Sequence, residues 1–292
     1  MTNSGGIKHK LSQLNIAEKI IVINVAVFLL EGLSIALLGF SNGGIVKWFE
    51  LPKDFFTFLT QPWALVTYSF FHAGIGHIFW NMLMLYFTGR IFLNLFDAKR
   101  FINVYFLGVL LGGLLFMLSY NIFPTLANSN SALIGASAGV TAVLIFICTY
   151  IPNQEVRVIF FNVKLWYVGV FFVLVDLVQI ASGDNIGGRI AHMGGAVLGY
   201  FYARQLLQGN DIGAGFTKFI DSISNVFKSR EKKSPLKTVY TNKANNSSRK
   251  ADYDKKARQR QIDDILDKIS KSGYESLSKT EKDFLFKAGK EN

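Results

Sequence analysis

The chain has 292 residues, half of them hydrophobic and only 17% charged, with a formal net charge of +11. So low a charge fraction argues against an ordinary soluble chain, and the single cysteine, Cys148, excludes an intramolecular disulfide or a cysteine-held metal. From Arg204 onward there are 20 Lys plus Arg against 12 Asp plus Glu, a net of +8, so the break in composition marks two solvents, lipid and then water.

Residues 1–16 form a polar tail carrying Lys8 and Lys10. No cleavage-like stretch follows the first apolar run, which is expected to be a retained span rather than a signal peptide. A helix needs about 20 mainly apolar residues to cross a bilayer, and six segments qualify: 18–40, 76–97, 100–122, 132–151, 164–182 and 188–207. Their apolar runs are continuous rather than alternating, which predicts helices and not barrel strands. Lys8, Lys10, Lys19, Lys99, Arg100, Arg157, Lys164 and the basic tail fall on one side of these spans. Only Lys47, Lys53 and Arg189 fall on the other. That asymmetry predicts both termini in the cytoplasm of a multi-pass membrane protein, and the cell (inner) membrane is its expected location. The first outer loop, 41–75, is apolar for a water-exposed segment. It holds Trp48, Phe49, Phe55, Phe56, Phe58, Trp63, Tyr68, Phe70 and Phe71, as expected of a segment partly embedded in the membrane interface.

Polar side chains inside apolar spans need a partner or a purpose. His77 and Asn81 lie four apart and share one face of the second span. Ser137 lies near the start of the fourth span and His192 near the start of the sixth, each about 8 Å deep at about 1.5 Å rise per residue. These four groups therefore share one level of the outer leaflet, although they are far apart in sequence. Small residues surround two of them: Gly135, Ala136, Ala138 and Gly139 around Ser137, and Ala191, Gly194, Gly195 and Gly199 around His192. Gly195 and Gly199 form a GxxxG step that lets helix backbones approach. The bland reading is that a lone buried serine bonds its own backbone and small residues only pack. Glu31, Arg90 and Asp176 also fall within spans. Arg90 can snorkel to the inner face, and Asp176 is expected to pair structurally rather than complete a triad with His192.

Beyond the spans, Phe216, Phe219, Ile220, Ile223 and Phe227 recur at helical spacing and predict a short amphipathic helix on the inner face, opening a basic linker over 209–258. The linker's charge suits anionic headgroups. With only Tyr240 and Tyr253 to stack on bases, no nucleic acid is expected. Within 259–292, Ile262, Ile265, Leu266 and Ile269 follow helical spacing, Gly273 breaks the run, and Ser278 with Glu281 forms a capping-box pattern before Phe284, Leu285 and Phe286. A helical hairpin is predicted, too small for its own core and so expected to dock on a cytoplasmic partner.

Taken together, residues 17–208 resemble the rhomboid family of intramembrane serine proteases, of bacterial type with a short C-terminal extension. The likeness rests on the long first loop, HxxxN on the second span, GxS on the fourth and AHxxGxxxG on the sixth. It implies an all-α membrane protein, a six-transmembrane-helix bundle with a cytoplasmic helical hairpin, which hydrolyses transmembrane segments of substrate proteins without a cofactor or metal. Carried over, it makes Ser137 the nucleophile and His192 the general base. His77, Asn81 and the Ser137 N–H become oxyanion donors, and His72 and Gly135 line the site. Three positions depart from the family: Ala138 stands where glycine is frequent, Thr141 where an aromatic stacks on the histidine, and Ala64 where arginine follows the loop tryptophan. The alternatives are an inactive rhomboid-like protein that binds transmembrane clients, and a haem or ion carrier using the histidines.

Overall fold

Asn15 starts the first long helix where the sequence turns apolar. Its side chain accepts from the Glu18 N–H at 3.0 Å while the Glu18 carboxylate accepts from the Asn15 N–H at 2.9 Å, a reciprocal cap. The computed structural model describes residues 6–39, 44–127, 131–158, 160–227 and 246–290. They divide into two compact units, Met1–Lys228 and Ser229–Asn292.

In the first unit, α1 (Ile7–Gln13) precedes α2 (Ile16–Leu38). The first loop is built from β1 (Leu51–Pro52), α3 (Phe55–Thr60), α4 (Ala64–Thr67) and 3-10 turns at Val46–Trp48 and Tyr68–Phe70. Then come α5 (Ile75–Leu95), α6 (Ala98–Ile122), α7 (Pro124–Ala127), β2 (Ala132–Leu133), α8 (Ser137–Tyr150), a hairpin of β3 (Glu155–Val158) and β4 (Phe161–Lys164), α9 (Leu165–Ser182), α10 (Ile186–Leu207) and α11 (Ala214–Phe227). Among the described residues four helices, α2, α5, α6 and α9, are long and apolar enough to cross a membrane. The α8 helix is apolar but shorter, and α10 carries Arg189, His192 and several glycines.

The core is the junction of α6, α8 and α10, and small residues set its spacing. A Cβ on Gly195 would collide with the carbonyl oxygen of Ala138, and one on Gly199 with that of Ala142, so α10 touches α8 backbone to backbone. Around this contact pack Phe92, Phe101, Tyr105, Phe116, Phe146 and Tyr202, all fully buried. By contrast α9 buries only Leu165, Gly169 and Asp176, and turns Phe171, Leu174 and Val178 outward.

Two expectations need correction. The fourth span was expected to be helical from 132, but the helix begins at Ser137. Leu133 instead pairs with Leu51 as β2 on β1, and Gly135, at φ +125°, turns the chain into the helix. Apolar composition reads as helix whether the backbone is satisfied within the segment or by a neighbouring strand. The connection between α8 and α9 is a hairpin with Val156 opposite Val163, which the span-by-span reading passed over. Its signal was the apolar–polar alternation of these short segments.

The first loop is tied down on its inner side and apolar on its outer side. The Tyr68 hydroxyl donates to the Val109 carbonyl at 2.7 Å, the Trp63 indole N–H to the Trp48 carbonyl at 2.7 Å, and the Thr67 hydroxyl to the Phe49 carbonyl at 2.9 Å. Trp48, Phe55, Phe56 and Trp63 remain exposed, which suits a segment lying among lipid headgroups.

At the other end of the bundle Asp211 gathers the ends of α6 and α10. Its carboxylate accepts from Arg100 at 3.1 Å and from the Tyr202 hydroxyl at 2.5 Å. Partial burial works against this charge, but Tyr202, Arg100 and the Gly213 N–H outweigh it and hold the carboxyl below its ordinary range. Asn103 donates to the Gly213 carbonyl at 3.1 Å and to the Thr217 hydroxyl at 2.7 Å, and Lys99 pairs with Asp221 at 2.9 Å, which fixes α11 beside α6. Phe219 and Ile223 on α11 face outward.

The second unit holds α12 (Asn246–Ser272), a 3-10 turn at Tyr274–Ser276 and α13 (Lys279–Lys290). Gly273, at φ +77°, ends α12 as expected. Glu281 accepts from the Ser278 N–H at 2.7 Å while its own N–H donates to the Ser278 hydroxyl at 3.3 Å, and Lys268 of α12 pairs with it at 2.9 Å. Lys268 first, then the Ser278 N–H and hydroxyl, pull the Glu281 carboxyl down to about 2. Helix α12 begins inside the segment expected to be linker. Its Lys, Arg, Ala and Gln residues are strong helix formers, and the Gln259–Asp263 bond at 3.1 Å spans one turn, so no apolar stripe was required. The rest of the expected linker, 228–245, lies outside the described residues.

Candidate active site

Three helices bring polar side chains to one place. His77 lies in the first turn of α5 with Asn81 one turn below it. Ser137 is the first residue of α8, so the N–H groups of Ser137, Ala138 and Gly139 have no carbonyl partner within the helix. The residue before it, Ala136, offers no side-chain cap that would occupy them. On α10, Asn185 adopts a left-handed conformation and its side chain accepts from the Gly188 N–H at 3.3 Å. That cap sets the helix so that His192 falls in its second turn.

His77, Asn81, Ser137 and His192 line one cavity of about 730 Å³, together with Thr141, Asp176 and Arg189. The loop before α8 packs directly on the first of these. A Cβ on Gly135 would stand 2.8 Å from the His77 Cε1 and Nε2 atoms and 3.6 Å from the Ser137 hydroxyl. The His77 ring therefore lies beside the start of α8. Its Nδ1 accepts from the Ala73 N–H at 3.4 Å, so in the neutral ring Nε2 carries the proton on the side facing the loop. Asn81 donates one amide hydrogen to the His77 carbonyl at 2.9 Å and keeps a second one.

His72 and Gly135 were expected to line the site, and neither is among the lining residues of the cavity. His72 is buried behind the loop, where its Nε2 accepts from the Ala136 N–H at 3.4 Å and its ring meets that of His77 edge-on at 5.0 Å. The Gly135 N–H donates to the Tyr68 carbonyl at 2.9 Å. With the β1–β2 pair, these bonds brace the loop that delivers Ser137.

The His192 Nδ1 lies 3.1 Å from both carboxylate oxygens of Asp176, and Arg189 donates to Oδ1 of the same carboxylate at 2.8 Å. Among the described residues no hydrogen bond joins Ser137 to His192. Catalytic hydrogen bonds commonly close only when substrate is in place. Arg189 is the residue that reading by span missed. It was counted as a loop charge, whereas it stands in the first turn of α10, three residues before His192. Its spacing to His192 was visible, but its partner lies on another helix and leaves no local pattern.

All of these residues fall within a stretch of the chain that matches a known family. The profile of the rhomboid domain matches residues 59–209, and that of a family of unknown function, DUF6576, matches 248–288. The chain is 30% identical over 148 residues to RHOMBOID-like protein 12, mitochondrial, of Arabidopsis thaliana, covering 46% of this chain and 44% of that protein. It is 26% identical over 146 residues to Presenilin-associated rhomboid-like protein A, mitochondrial, of Danio rerio, covering 49% and 37%. It is 30% identical over 153 residues to Rhomboid-related protein 1 of Caenorhabditis elegans, covering 50% and 40%. The chain thus spans about two fifths of the length of these relatives. With a rhomboid profile over half its length and four helices able to cross a bilayer, the chain is a multi-pass membrane protein that belongs to the rhomboid family.

Proposed function

We propose that this chain is an intramembrane serine endopeptidase that hydrolyses peptide bonds in or near the transmembrane segments of other proteins. The observation that carries the reading is the shared cavity, where Ser137, His192, His77 and Asn81 meet from three helices. The Nε2 of His192 takes the hydroxyl proton of Ser137 as the oxygen attacks the substrate carbonyl carbon. The negative charge that develops on the carbonyl oxygen is met by the Ser137 N–H at the start of α8, the Nε2–H of His77 and the free amide hydrogen of Asn81. The protonated imidazole then gives its proton to the leaving amine, and a water molecule hydrolyses the acyl-enzyme by the same route. His72 and Gly135 serve by holding the loop.

Six membrane crossings accommodate this site, with α8 and α10 as the two spans whose polar and glycine content lowers their apolarity. The bias of Lys and Arg supports cytoplasmic termini, with α11 lying on the inner face; a cell (inner) membrane location and a bacterial-type rhomboid rest on the resemblance of the motifs alone. Domain boundaries at 1–16, 17–208, 209–258 and 259–292 go with this reading, with the helical C-terminal part already beginning at α12 within the third segment. The last segment is read as the part that meets a cytoplasmic partner. The second reading is an inactive rhomboid-like protein that binds transmembrane clients.

Both readings face one experiment: incubation in detergent with a generic transmembrane reporter, comparing the native chain with Ser137→Ala and His192→Ala. Cleavage by the native chain alone is the expected result. Equal cutting by all three removes the mechanism, and binding without cutting by any of them selects the client-binding reading.

A further inference from the structure

We propose that Asp176 is a positioning residue that holds the imidazole of His192 as its Nδ1–H tautomer, leaving Nε2 free to act on Ser137, and that Arg189 steadies the carboxylate. The inference rests on the endopeptidase reading. A carboxylate on a lipid-facing helix needs a reason to be there. Asp176 is 4% exposed, while its helix buries only two other residues, Leu165 and Gly169. Both of its oxygens lie 3.1 Å from the His192 Nδ1. An ionised carboxylate only accepts, so the ring nitrogen facing it carries the hydrogen and the lone pair of a neutral ring falls on Nε2. That nitrogen is the one the mechanism requires.

Two further observations point the same way. Four residues after Ser137 the cavity is lined by Thr141, which presents no ring against which the imidazole could stack. The orientation of His192 must then come from hydrogen bonding. Its Nδ1–H donates to Asp176 on α9, itself held by Arg189 on α10 at 2.8 Å. The groups around His192 are thus Asp176 from α9, Arg189 from its own helix and His77 from α5. Alternatively, the Asp176–Arg189 pair only bolts α9 to α10, and the contact with His192 is incidental. The two accounts separate because Asp176→Asn keeps the shape but removes the obligate acceptor, whereas Arg189→Gln removes the ion pair and leaves the carboxylate on the imidazole.

The test uses the full chain in detergent with the transmembrane reporter. Asp176→Asn is expected to lower kcat by at least about tenfold with KM within about twofold and little change in the thermal midpoint, following the tautomer role of such a carboxylate. Asp176→Glu should recover part of that rate. Arg189→Gln should lower the midpoint and should lower kcat by less than Asp176→Asn does, since the carboxylate stays on the imidazole. In histidine-labelled native protein, nitrogen NMR should report His192 as the Nδ1–H tautomer. Full kcat in Asp176→Asn, or an Nε2–H tautomer in the native chain, overturns the proposal. So does a loss of activity in both variants that merely follows unfolding. If Asp176→Asn fails to fold, the native spectrum and Arg189→Gln still decide. If Ser137→Ala cuts like the native chain, the endopeptidase reading falls, and the spectrum judges the positioning of His192 by itself.

Discussion

The two units of this chain are held together by opposite means. In the first, α8 and α10 meet backbone to backbone at Gly195 and Gly199, and the contact needs no charge. In the second, only Ile265 and Leu277 are buried among the described residues. Its hairpin is closed by the Ser278–Glu281 cap, the Lys268–Glu281 pair at 2.9 Å and the Lys282–Glu275 pair at 3.0 Å. Lipid is as apolar as leucine, so helices inside it gain nothing by hiding apolar surface from it and depend on close fit. A short hairpin in water lacks the size for a core and depends on caps and ion pairs. Steric fit tolerates changes of pH and salt, whereas polar closure does not.

The largest expected effect comes from breaking the steric contact away from the reacting groups. Gly199→Leu places a side chain where the Ala142 carbonyl and the Phe146 N–H already stand. Overpacking of a core usually costs about 1–3 kcal/mol, and more when the obstacle is backbone. The variant should lose reporter cleavage by about 100-fold or more as Ser137 and His192 are pushed apart, since a displacement of about 1 Å can cost that much. A lowered thermal midpoint should accompany the loss. Native cleavage and stability in Gly199→Leu would mean that α8 and α10 are held elsewhere.

An effect confined to the rate, and so smaller for the protein as a whole, is expected when the bundle stays intact and one donor is removed. His77→Ala should lower kcat by about 100- to 1000-fold while the thermal midpoint stays near that of the native chain, because the ring contacts loop backbone rather than the helical core. Asn81→Ala should cost less, since one of its two amide hydrogens is already spent on the His77 carbonyl. Loss of stability in step with loss of rate would make His77 a structural residue and would move the oxyanion site.

These contrasts also explain what could be read from the sequence. Gly195 and Gly199, the capping pair Ser278–Glu281 and the stop at Gly273 are local patterns whose physical cause lies within a few residues, and each was visible. So was the grouping of His77, Asn81, Ser137 and His192, because helices that start at one membrane face put residues of equal offset at equal depth. The start of α8 was not visible, since its strand partner Leu51 lies far upstream. The contact of Asp176 with His192 was weighed from the sequence and ranked below a purely structural pairing, while the part of Arg189 in that cluster was hidden for the same reason. Periodicity along one helix does not reveal which side chain of a neighbouring helix it will meet.

The smallest effect concerns the second unit alone and depends on pH. The Glu281 carboxyl, ordinarily near 4.5, is held at about 2 by Lys268 and by the Ser278 N–H and hydroxyl. A depressed folded value means that the charge contributes stability fully above its ordinary range and loses it as pH falls from about 4.5 toward about 2. Brief digestion of the full chain by pepsin, read by mass spectrometry, should therefore cut within 259–292 faster at pH 2.5 than at pH 4.5. Peptides of α8, which has no side-chain cap and no carboxylate, should change little over the same interval and serve as the internal reference. Glu281→Gln should abolish the difference by digesting quickly at both values, since the amide still reaches Ser278 but forms no ion pair with Lys268. High salt should narrow the difference by screening that pair. Equal protection of the native hairpin at both pH values would show that apolar contact around Ile265 and Leu277 closes it, and that the two units differ less than their charges suggest.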